Sequence, residues 1–232
     1  MWTSTAVLAL WLSTFAALAP VSPKPTGEGG QPPSGTQPQP GAAQPQRGRG
    51  GRGAIQVMTL ASPAWTDGGQ IPAKHGQASG NGDVSPPLTW SNVPEGAVSF
   101  VLVVHDLDTA VNPGTDDLLH WLVWNIPGSA RALPEHVPQA ATLPDGSRQI
   151  SATGPNYRGP AAAASGAPHH YVFELYALDT TLDVPAVGAS PAQTRAAVLA
   201  AMAGHVRAKG VFTGLYKRAM TPGRKPRGRE LP

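Results

Sequence analysis

The chain has no cysteine, which excludes disulfides, thiolate zinc sites, a thiol nucleophile and a lipidated N-terminal cysteine. It is also poor in charge, with Asp, Glu, Lys and Arg making up 13% of its 232 residues. Its apolar run at residues 6–19, AVLALWLSTFAALA, falls short of the ~20 residues a spanning helix needs, so no transmembrane segment is expected. No GxSxG elbow occurs, and the spacing of the histidines and aspartates matches no recognised zinc signature, so neither a serine hydrolase nor a metal site is signalled.

The short apolar run ends in Ala17-Leu18-Ala19, the small-residue arrangement of a signal-peptidase site, and residues 1–19 read as a signal peptide. Residues 20–53 are mostly Pro, Gly, Gln, Ala and Arg, with Val21 the only large aliphatic residue. Such a segment cannot bury enough apolar surface to offset its ordering entropy, so it reads as a disordered tether. One domain remains, residues 54–219, followed by a basic tail at 220–232. The expected location is periplasmic or secreted.

The formal charge of +3 conceals a division. Between Ile55 and Tyr216 there are 7 Lys and Arg against 12 Asp and Glu, so the folded part stands near −5. A nucleic-acid groove needs the opposite balance on the domain itself, and no nucleic-acid partner is expected. The basic residues outside it read as solubility or weak surface-attraction elements.

Two apolar runs, Val98–Val104 and Leu118–Ile126, are too short for ordinary helices and rich in Val, Leu and Trp, so each reads as a buried strand. IQVMTL at 55–60, Leu88–Trp90, Tyr171–Leu178 and Val206–Tyr216 read as further strands. Ser190-Pro191 opens a helix expected to run to Gly204. Residues 128–168 read as a long shaped loop region. The fold class is mainly β with a peripheral helix near the C-terminus.

Polar groups gather where the apolar runs end: His105, Asp106 and Asp108 after the first, His120 opening the second, His169 and His170 before Tyr171. Buried charge needs partners, so these read as one common pocket. Each also has a plainer reading: a His beside a Trp as a hydrogen-bonded structural residue, an Asp pair as a turn cap, His-His-Tyr as a strand start.

Taken together, GDVSPPLTW, the Asp-x-Asp after VLVV, HWLVWNIP, the YRGP…PHHYVFELYALD block and GHVRAKGVFTGLYKR resemble the phosphatidylethanolamine-binding family, in its bacterial Raf-kinase-inhibitor-like (YbhB/YbcL) branch. The resemblance covers roughly residues 55–219. It implies a β-sandwich with a large central sheet and a non-catalytic pocket for a phosphate-type anion or phospholipid headgroup. Matched residue by residue, that pocket falls on Asp106, Asp108, His120, Gly159, His169 and Tyr171. Imidazoles donate to phosphate oxygens, while the carboxylates orient them or receive a headgroup amine. The chain differs from the family at Leu107, where a proline is usual, at Ala162-Ala163-Ala164 in place of a proline run, and at His170 in place of Arg.

The expected function is thus an exported small-ligand or headgroup-binding protein with no cofactor and no metal. The alternatives are an extracytoplasmic protease or kinase-type inhibitor, a further partner being a second copy of the chain, and a His/Asp hydrolase.

Overall fold

The computed structural model describes residues 55–77 and 84–220. The segments read as a signal peptide and a tether, and most of the basic tail, therefore lie outside the described residues. Within them no helix is long and apolar enough to cross a membrane.

The two apolar runs form a long antiparallel hairpin, β4 (Ser99–Val111) and β5 (Asp116–Pro127). Asp106 and Asp108 do not close β4, as the sequence led us to expect; the strand runs on to Val111. Pairing with β8 (His169–Leu178) stops at Asp106, opposite Tyr171, whereas Ala110 and Val111 still pair with Asp117 and Asp116. The hairpin thus projects past the sheet, where both faces meet solvent and a polar sequence can remain extended. Asn112 opens its turn at φ 51°, a left-handed conformation that Asn tolerates.

Six strands form a mixed sheet ordered β1-β9-β8-β4-β5-β7, with β1 at Gln56–Val57, β7 at Arg148–Ile150 and β9 at Val206–Tyr216. A second sheet, β2-β3-β6, comprises Thr59–Ala61, Leu88–Ser91 and Ala132–Leu133. The segment expected as one strand at 55–60 is divided between them: Gln56 and Val57 pair parallel to β9, and Thr59 onward pairs antiparallel to β3. Such a corner lets one segment close the end of a sandwich. The region 128–168 is irregular as expected, apart from β6 and β7, and Gln149 anchors it by donating to Pro138 O at 2.6 Å and accepting from Trp121 Nε1 at 2.8 Å.

Strand alternation gives each face of the large sheet its own core. Phe100, Leu102, Val104, Phe173, Leu175 and Phe212 pack against Leu60, Leu88, Trp90 and Leu133 of the small sheet. Val101, Val103, Leu122 and Trp124 face the other way, onto Val198 and Met202. Val198 belongs to α1 (Pro191–Ala201), which Ser190 opens by accepting from Gln193 N while Gln193 reaches back to Ser190 N. The helix stops three residues before Gly204, which adopts φ 85°.

Candidate functional site

Asp106 is the fixed point of a polar pocket on the small-sheet side of the hairpin. It is 2% exposed, and its carboxylate accepts from Asp108 N, Thr109 Oγ1 and His169 Nδ1, each at 2.9 Å. The first two bonds hold residues 107–109 as a bulge, since the register passes from Asp106 opposite Leu118 directly to Ala110 opposite Asp117. The third aims His169 into the pocket. Tyr171, on the same face of β8 and directly across from Asp106, stacks on His169 with ring centroids 6.5 Å apart.

His120 joins them because β5 is irregular. Regular alternation would turn His120 away from the face that Trp121 occupies. Val104 pairs with Trp121 and His105 with Leu119, so His120 is the extra residue of a bulge, and its ring meets Tyr171 edge-on at 5.0 Å. His120 Nδ1 donates to Arg158 O at 2.7 Å and Arg158 N donates to His120 O at 2.9 Å. This exchange ties β5 to segment 157–162 and fixes the orientation of the His120 ring. The amide of Ala161 donates to Tyr171 Oη at 3.4 Å. Burial, then the neighbouring Asp106 carboxylate, push the Tyr171 phenol far above its ordinary value, so it remains an O–H donor.

Asp106, His120, His169 and Tyr171 thus converge, and Asp108 stands apart. Alternation turns His170 outward from His169, and Asp108 accepts from His170 N at 2.6 Å and His170 Nδ1 at 2.9 Å on the exposed side of the bulge. The His170 backbone bond, outweighing slight burial, holds the Asp108 carboxyl below its ordinary value. Asp108 is a rim residue. Gly159 lies between Arg158, which exchanges bonds with His120, and Ala161, which bonds Tyr171, but a side chain there would meet His75 O at 2.6 Å and Gln77 N at 3.0 Å. The glycine is required by backbone packing against residues 75–77.

That strap carries a residue the sequence reading missed. His75 is fully buried, receives Tyr157 Oη on its carbonyl at 3.2 Å and contacts Val84 O through Nδ1 at 2.9 Å. Burial keeps its imidazole below its ordinary value, so it acts as a neutral structural support beneath the pocket loop. A single His in a Gly/Pro-rich connection gave no sequence signal for this.

His105, next to Asp106, faces the opposite side of the sheet. It contacts Asp117 through Nδ1, lies 3.5 Å from Glu174 through Nε2, and is the central link between the Arg195–Asp117 pair on the α1 side and the Glu174–Lys209 pair. Burial opposes its charge, but Glu174 and Asp117 outweigh burial and raise it. A cleft of about 580 Å³ adjoins this network, lined by Val111, Leu118, Arg195 and Leu199 among others and by none of the pocket residues. Its volume and the polar chemistry lie apart. We locate the candidate site by the chemistry, because Arg195 and Asp117 of the cleft are already paired with each other. Among the described residues no group of three or more His, Asp or Glu is arranged to hold a metal ion.

A sequence profile for the family described as phosphatidylethanolamine-binding protein matches residues 61–217. A UPF0098 protein of Methanothermobacter thermautotrophicus is 41% identical over 163 residues, covering 69% of this chain and 99% of that one. The putative lipoprotein LppC of Mycobacterium tuberculosis is 37% identical, covering 69% and 75%. Among solved structures, Escherichia coli YbcL, described as a member of the mammalian PEBP family, superposes with a TM-score of 0.57 at 30% identity, covering 69% of this chain and 98% of that one.

Proposed function

Because the chain belongs to the phosphatidylethanolamine-binding family, we propose that the Asp106–His120–His169–Tyr171 pocket binds a phosphate-type anion, free or as a phospholipid headgroup, without catalysis. The observation that carries this reading is the convergence of two imidazoles and a protonated phenol on one buried carboxylate, from three strands. A carboxylate alone repels phosphate. Here Asp106 is occupied by three donors, so its negative charge orients His169, and the imidazoles face the anion. Tyr171 and the backbone of 159–162 supply neutral donors or close approach. Thr109 Oγ1, 3.5 Å from His169 Nδ1, already donates to Asp106, and Tyr171 stays protonated, so neither is prepared as a nucleophile. Titration calorimetry with inorganic phosphate and phosphorylethanolamine tests this: both should bind the wild type, and His169→Ala should lose at least ten-fold, as for loss of a charged hydrogen bond. Equal affinity in His169→Ala would refute the site.

Export completes the reading. It rests on the 1–19 segment and is in keeping with the lipoprotein name of the mycobacterial relative. Intact mass of protein recovered outside the cytoplasm should lack about the first nineteen residues, as a signal peptide would; a full-length mass there would contradict it.

A further inference from the structure

We propose that the cleft between α1 and the end of the β4–β5 hairpin is a second ligand site, and that it takes a small organic cation, a protonated amine on an aliphatic body.

The cleft has a volume of about 580 Å³, inside the roughly 300–1,000 Å³ range of small-molecule sites. One wall is a face of α1. Ala192, Arg195, Ala196 and Leu199 recur at helical spacing and all line the cleft, while Thr194 and Val198 turn inward to the core. The other wall is the hairpin near the point where β8 stops pairing with it, with Val111 and Leu118 as aliphatic groups. Leu199 is 42% exposed, so hydrocarbon on both walls meets the open cleft.

Charge decides the class of ligand. Arg195, from the helix wall, pairs with Asp117 Oδ1 on the strand wall, and His105 engages Asp117 Oδ2. That bridge ties the walls together and occupies both carboxylate oxygens. The N-terminus of α1 offers an anion little: Pro191 has no N–H, Ser190 Oγ accepts from Gln193 N at 3.3 Å, and Thr194 N donates to Ser190 O at 2.9 Å. Asp116 is different. It is exposed, lines the cleft opposite Val111, and among the described residues its carboxylate has no hydrogen bond or ion pair. Of the charged groups in the lining, Arg195 and Asp117 thus neutralise each other, and Asp116 alone lacks a counter-ion among the described residues. The folded part as a whole, with 7 Lys and Arg against 12 Asp and Glu, also attracts cations. An ammonium group on Asp116, with its chain along Leu118 and Leu199, uses both features of the cleft. A carboxylate ligand would be repelled by Asp116, and a neutral one would gain nothing from it.

The test titrates the full chain with hexylamine at neutral pH, followed through backbone amide resonances, with hexanoate and hexanol as controls for charge. Hexylamine, as its ammonium ion, should shift the amides of Leu118, Ala196 and Leu199 and saturate. Hexanol should bind about three-fold more weakly, the size of one exposed ion pair, and hexanoate more weakly still. Asp116→Lys, at an exposed hairpin position, should invert the order of hexylamine and hexanoate, and Ala196→Phe, at an exposed helix position, should fill the cleft and remove binding of both. The wild-type order alone decides the charge assignment: equal affinity for the three compounds, or no shifts at the cleft, overturns the proposal. So does hexylamine binding that survives Ala196→Phe, or shifts centred on His120 and His169, which would place the amine in the anion pocket.

Discussion

Glu174→Gln offers a stringent test of the electrostatics, because its effect should change with pH in two directions. Glu174 accepts from Tyr176 Oη at 3.0 Å, pairs with Lys209 and lies 3.5 Å from His105 Nε2. His105 foremost, against burial and with help from Lys209, holds its carboxyl at about 2 instead of 4.5. A depression of that size corresponds to about 3 kcal/mol of stability when the group is fully ionised. Its side chain is 20% exposed, and solvent screening together with the neutral bonds Gln retains reduces the expected loss to about 1–2 kcal/mol. Glu174 is a lowered group, so its contribution is present above 4.5 and disappears as pH falls toward about 2. His105 is a raised group, so its contribution is full below 6.5 and disappears as pH rises through its folded-state value. The stability gap between wild type and Glu174→Gln should therefore be widest near about pH 5.5, narrower at about pH 8, and reduced but not abolished at about pH 3, closing only toward about pH 2. Taking the difference removes the opposite titration of buried His75, which both proteins share. Urea unfolding at the three pH values measures it. A gap that stays constant with pH would refute the assignment of His105 and Glu174 as a coupled pair.

Asp106→Ala should orphan three donors and cost about 3–5 kcal/mol, read as a drop in urea midpoint together with loss of phosphate binding; a well-folded variant with intact phosphate affinity would remove Asp106 from its positioning role. Gly159→Ala must displace the backbone of residues 75–77, at about 1–3 kcal/mol, and weaken anion binding in the same protein, whereas an unchanged melting temperature would mean the strap is slack.

Much of the fold was legible because apolar runs and caps act locally. Ser190-Pro191 and the alternation of Val206–Tyr216 led to a helix start and a strand that the structure retains. What could not be read depended on pairing. Met58 N bonds to Lys209 O, a distant partner that breaks IQVMTL between two sheets. The bulge at His120 depends on how β5 meets β4, so nothing in HWLVWNIP announces that His120 and Trp121 share a face. For the site, the family resemblance directed attention to Asp106, His120, His169 and Tyr171, and the structure brings these four together. Asp108 has the same chemistry two residues on, yet the bulge turns it to His170 at the rim. His75 was invisible because its role is set by the strap it supports, through contacts with Tyr157 and Val84.

The most direct test of the pocket is a titration of the full chain with phosphorylethanolamine, followed through the imidazole nitrogen resonances of its histidines. His120 and His169 should shift together and saturate with one dissociation constant. His105, behind the sheet between Asp117 and Glu174, and His75, beneath the loop, should stay unmoved and serve as internal controls. Shifts confined to His105 or His75, or none at His120 and His169 at saturating ligand, would contradict the pocket.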